Sequence, residues 1–136
     1  MAPRGSHYTE RLRKVGLRPT RQRLALAGLL FAHGDRHVTA ETLHEEAVGA
    51  GVRVSLATVY NTMHQFTQVG LLREVTVDGT RTYFDTNTGD HHHFYCQDDG
   101  TLTDIDGNGI EVAGLPLPPF GSKVERVDVI VRLRRR

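Results

Sequence analysis

Apolar positions recur at helical spacing three times before the middle of the chain. Arg18-Pro19-Thr20 is a helix entry, and Leu24, Ala27, Leu29, Leu30 and Phe31 make an apolar face that Gly34 ends. Thr39 is a natural N-cap, with Thr42 where a full capping box has Glu or Gln; Ala40, Leu43 and Ala47 follow before Gly49–Gly51 stops the turn. A third helix starts at the cap Ser55 and runs to about Val69, closed by Gly70. Val59, Met63 and Phe66 form its inner stripe, and Ala57, Thr58, Asn61 and Gln65 fall on the other face.

The period then changes. Leu71–Val77 and Arg81–Asp85 read as strands around Asp78-Gly79-Thr80, a hairpin signal. Three short helices and a hairpin are the order of a winged helix-turn-helix, whose third helix is the one expected in the major groove of DNA. Asp85–Asp90 is a turn-rich break. Beyond it His91–Gln97, Leu102–Ile105, Ile110–Val112 and Val124–Leu133 are strand-like, while the prolines of Leu115–Pro119 supply no ladder donors. The expectation is an α+β chain: a winged helix-turn-helix domain at 1–84, a hinge at 85–90, and a small β-rich domain at 91–136. So small a sheet has exposed edges and a thin core, which argues for pairing as a homodimer.

Charge sharpens this picture. The chain's net charge is only +1, yet residues 1–34 carry seven basic groups against one acid, Glu10. A segment of that sign suits phosphate contact, and Arg18, Arg21 and Arg23 are its candidate clamps; a solvated basic tail is the plain alternative. No stretch approaches the roughly eighteen apolar residues of a membrane span. The start has no apolar segment like that of a secretory signal, and the single Cys96 forms no internal disulfide, so a reducing, cytoplasmic setting is expected.

His91-His92-His93 carries the candidate chemistry. On a strand His91 and His93 share one face and His92 takes the other. Two imidazoles on one face begin a chelate for zinc or another first-row metal. Asp85, at the end of the wing, offers a carboxylate, and His37, before the second helix, lies where it can reach the same junction. The candidate set is His37, Asp85, His91 and His93, and one metal ion held there would fix the angle between the two domains. A metalloenzyme is a competing class, but no HExxH, general base or nucleophile motif accompanies the cluster.

These residues also carry a family resemblance. Leu17–Arg23, Arg36–Glu41, Val54–Asn61, Tyr83-Phe84-Asp85 and the histidine tract together resemble the ferric uptake regulator (Fur) superfamily from about Tyr8 to Arg136. Ser55–Thr62, His91–Tyr95 and Arg126–Arg132 are most similar to its iron response regulators (Irr) of alphaproteobacteria. The resemblance implies a homodimer, possible higher-order assembly on a palindrome-like DNA operator, and control of iron and haem homeostasis. It puts the junction metal (Zn, Mn or Fe) on His37, Asp85, His91 and His93, with Asp85 where many relatives have Glu. A second metal site would fall on Asp90, His92 and Glu111, with Val127 where a ligand is needed, and the paired-cysteine zinc site is missing. With no Cys-Pro haem motif, a haem signal would rest on His91, His92 and His93 as axial ligands competing with the metal. For DNA it points to Tyr60, on a thymine methyl, with Ser55, Ala57, Thr58 and Asn61 beside it. Asn61 replaces the usual Arg, which shifts preference from guanine towards adenine. The nearer alternative is a sensor of a free divalent ion rather than haem.

Overall fold

The computed structural model describes residues 4–79, 81–106 and 109–136, with side chains from His7 on. The chain divides into two compact units between Thr88 and Gly89.

The first unit contains four helices, one more than the periodicity predicts: α1 (Arg4–Lys14), α2 (Arg21–Phe31), α3 (Ala40–Gly49) and α4 (Leu56–Gln68). The unforeseen one is α1. Among its described side chains the buried ones are Tyr8 and Leu12, one helical turn apart, at 8% and 1% exposure. Two apolar residues among many charges are too few to show a period. Arg11, counted above as part of a basic phosphate-facing start, lies 4.5 Å over the Phe31 ring and so helps cover the core.

The caps expected at Thr39 and Ser55 form, accepting hydrogen bonds from the backbone N–H groups of Thr42 and Thr58, and Thr20, at the expected helix entry, caps α2 by accepting the Arg23 N–H. Gly70 follows α4 with φ +82°, the left-handed conformation that a C-terminal stop requires. The core joins Leu26, Leu30, Leu43, Val59, Met63, Phe66 and Phe84, all fully buried. Leu26, which the periodicity left off the apolar face, is fully buried, whereas Leu24 and Leu29 are only partly covered.

A three-stranded sheet completes this unit, in the order β1-β3-β2, with β1 His37–Val38, β2 Arg73–Asp78 and β3 Arg81–Asp85. The hairpin appears as expected, with an irregularity between Thr76 and Asp78; Thr80 of its turn lies outside the described residues. The short β1 was not anticipated, because two residues carry no alternation to read. It sets His37 directly opposite Asp85 and Val38 opposite Phe84.

The second unit is a three-stranded sheet in the order β5-β4-β6, from β4 (His92–Cys96), β5 (Leu102–Ile105) and β6 (Ile130–Leu133). Two expectations need correction here. Ile110–Val112 is not a strand, and the strand expected over Val124–Leu133 is confined to its last four residues. Most of 109–129 is exposed, so the alternation of Val127 and Val129 has no neighbouring strand to lie on. Pairing starts only where the Val129 carbonyl accepts the His93 N–H, at 3.2 Å. Among the described residues no helix is long and apolar enough to cross a membrane.

Candidate metal centre and nucleic-acid interface

Two groups of ligand-type side chains are built, one in each unit. In the first, the β1–β3 register brings His37 Nε2 to 3.1 Å from Asp85 Oδ2. Asp85 is fully buried, and its other oxygen accepts the Asn87 N–H at 2.9 Å. The strand ends are pinned from behind. Arg36 donates through its backbone N–H to Thr86 Oγ1 at 2.9 Å, and the Thr86 N–H returns to the Arg36 carbonyl at 3.0 Å. The Arg36 guanidinium grips both carboxylate oxygens of Glu46, at 2.9 and 2.5 Å, and donates to the Leu29 carbonyl. One arginine thus ties α2, α3 and the two strands that present His37 and Asp85.

In the second unit His91 and His93 are 7% and 2% exposed and their ring centroids lie 4.5 Å apart, sharing a face as strand geometry requires. Asp104 faces His93 in the β4–β5 register, and its Oδ1 lies 3.2 Å from His91 Nε2 and 3.4 Å from His93 Nε2. Sequence reasoning missed Asp104, since only the pairing register marks it as a neighbour of the histidines.

The hydrogen bonding tests whether these groups suit a metal. His91 Nδ1 lies 2.6 Å from the Gly89 carbonyl, which can only accept, so Nδ1 carries the proton. In the neutral ring Nε2 is then a lone pair, aimed at a carboxylate oxygen. Two acceptors facing each other at that distance need a proton or a cation between them. A ligating imidazole whose other nitrogen donates to a carbonyl is the usual outer support of a metal site. The nitrogen and oxygen donors suit zinc, manganese or iron.

His92 is different. Its Nδ1 accepts the Val129 N–H at 3.0 Å, so it serves to hold the approach to β6. Among the described residues no metal-type cluster includes Asp90, His92 or Glu111.

The α4 side of the first unit carries the DNA candidates. Ser55, Ala57 and Asn61 are exposed and Thr58 is half-buried. Ser55 is also occupied as the cap, accepting the Thr58 N–H at 3.1 Å. Tyr60 is half-buried, edge-on to Phe84 and beside His64, with centroids 6.3 and 5.2 Å away. Arg18 and Arg21 are exposed. Arg23 instead donates to the Arg18 carbonyl at 2.8 Å and to Gln65 Oε1 at 3.0 Å. A groove of about 410 Å³ runs between the start of α2 and α4, bordered by Arg18, Arg23, Thr58, Asn61 and Gln65.

Comparison with known proteins agrees with this architecture. Residues 14–118 match the ferric uptake regulator family. The ferric uptake regulation protein of Bordetella parapertussis is 34% identical over 101 residues, 74% of this chain and 73% of that protein. The peroxide operon regulator of Bacillus subtilis is 34% identical over 116 residues, 85% of this chain and 79% of its own. The structure of the ferric uptake regulator from Pseudomonas aeruginosa with manganese superimposes with a TM-score of 0.69 at 25% identity, covering 93% of this chain and 96% of that one. The chain belongs to the ferric uptake regulator family, a family of metal-responsive transcriptional regulators.

Proposed function

We propose that this chain is an operator-binding regulator whose DNA affinity depends on one divalent ion, held by His37 and Asp85 of the first unit with His91, His93 and Asp104 of the second. The observation that carries the reading is the convergence of His91 Nε2 and His93 Nε2 on Asp104 Oδ1, at 3.2 and 3.4 Å, with His91 Nδ1 engaged by the Gly89 carbonyl. Because each unit supplies only part of the donor set, the ion would couple them, and its binding free energy would favour one arrangement for DNA. In this reading Arg18 and Arg21 contact phosphate, while Tyr60, Ala57, Thr58 and Asn61 face the bases.

The resemblance to iron response regulators adds haem as a rival ligand and iron and haem homeostasis as the controlled process. The geometry favours the free ion. His91 and His93 are buried and committed towards Asp104, whereas a haem iron needs an imidazole open to a large planar ligand. His92 would have to give up the Val129 bond or its tautomer. A Soret titration of His91→Ala, His92→Ala and His93→Ala together separates the two: haem still binding at one equivalent would place it away from the histidines.

The main test is selection from a randomised duplex library by the full chain, stripped with chelator and then reloaded with Mn(II) or Zn(II). Enrichment of a two-fold symmetric motif only after reloading is the expected result. A motif enriched equally by the stripped chain, or none in either state, would refute the reading.

A further inference from the structure

We infer that Gln65 is a base-reading residue that presents the NH₂ end of its amide, and that Arg23 is the positioning residue that fixes this orientation. This rests on the operator-binding reading above and assigns one base preference within it.

A guanidinium carries N–H donors and no acceptor. The Gln65 atom 3.0 Å from Arg23 Nη2 is therefore its oxygen, and the amide cannot flip without setting donor against donor. Arg23 is itself held, since Nη1 donates to the Arg18 carbonyl at 2.8 Å. With Arg23 on its oxygen, Gln65 presents its NH₂ group as the amide end that the arginine does not hold. Gln65 borders the groove shared with Thr58, Asn61 and Thr62. Thr58, Asn61 and Gln65 are spaced three and four residues apart on α4, which puts them on one face.

A free glutamine reads adenine with one donor and one acceptor, whereas an amide presented by its NH₂ end offers donors first. It matches an edge made of acceptors. Guanine, with N7 and O6, fits best, thymine O4 comes next, and the N4 amino group of cytosine is rejected. Asn61 is exposed, with both amide ends open to a ligand, and remains suited to adenine. One helical turn separates the two along α4, about 5.4 Å, so their bases lie about one to two steps apart.

The same geometry reassigns Arg23. A phosphate clamp, when lost, weakens all sequences alike and reduces the salt slope by roughly one unit. A positioning residue, when lost, broadens one base position and leaves the slope unchanged.

The experiment uses the full chain loaded with Mn(II), the randomised duplex library, and the variants Gln65→Glu and Arg23→Gln. In Gln65→Glu one carboxylate oxygen still pairs with Arg23, and the presented group becomes an acceptor. The expected result is a change at one position from guanine to cytosine, with about a tenfold swing in preference. Arg23→Gln, which removes the charge and lets the Gln65 amide flip, should broaden that same position with the salt slope of binding unchanged. It also carries the test should Gln65→Glu fail to fold by circular dichroism. An identical motif for wild type and both variants, or a reduced salt slope with an unaltered motif in Arg23→Gln, would overturn the assignment. A wild-type chain that enriches no motif would instead sink the operator-binding reading itself.

Discussion

At the scale of single residues, a backbone carbonyl determines what His91 can do. The Gly89 carbonyl engages Nδ1 and so turns Nε2 towards Asp104, one oxygen of which lies 3.2 Å from His91 Nε2 and 3.4 Å from His93 Nε2. Asp104→Ala should weaken divalent-ion binding by about 10- to 100-fold, the range for losing one group of such a site, read by competition with a chromophoric chelator. Unchanged affinity would remove Asp104 from the centre. Asp99, in the turn after β4, gives a pH prediction of known sign. Hydrogen bonds from the Thr101 side chain and backbone, then from Cys96, hold its carboxyl down to about 2. A folded value below the ordinary carboxylate value of about 3.9 means that its contribution is complete above that pH and fades as pH falls towards 2. In thermal melts, the gap between wild type and Asp99→Asn should therefore be open at about pH 5 and closed by about pH 2. A gap that persists at low pH would show that the carboxylate was not its source.

At the scale of elements, the helices divide by how much of their placement is local. α3 and α4 carry their own caps and apolar stripes, and both were legible in the sequence from Thr39 to Gly70. α1 was not. Its stability comes from inserting Tyr8 and Leu12 into a core contributed by later segments, and a short charged helix has little stability of its own. Leu12→Ala should cost about 2–5 kcal/mol in urea unfolding, as expected for a leucine removed from a closed core. Arg11→Ala, which loses only the half-exposed stack on Phe31, should cost about 1 kcal/mol or less. Equal effects would mean that α1 is held by charge rather than by burial. β1 makes the same point at a smaller size. Two residues have no readable period, yet their pairing with β3 is what faces His37 with Asp85.

At the scale of the molecule, the two units are unequal in what they bury. The first has a continuous apolar core. The second leaves Leu117 and Phe120 at 94% and 108% exposure, beside a sheet of three strands. Apolar side chains so placed are costly in water, and the homodimer expected from the sequence would cover them. Sedimentation equilibrium should therefore give a dimer, and Leu117→Ser with Phe120→Ser should raise its dissociation constant by about tenfold or more. A dimer of unaltered strength would put the contact elsewhere. Local spacing was enough to read whatever depends on neighbours a few residues apart: the helix entry at Arg18–Thr20, the caps at Thr39 and Ser55, the Val59–Met63–Phe66 stripe, the hairpin, and the common face of His91 and His93. Such features follow from backbone period and from hydrogen bonds within a turn, and both are written in local spacing. Tertiary structure alone decided that Asp104 stands opposite His93, that Arg23 meets Gln65 across 42 positions, and that His92 is spent on Val129. Those pairings depend on register and packing between distant segments, for which a single chain of residues carries no period.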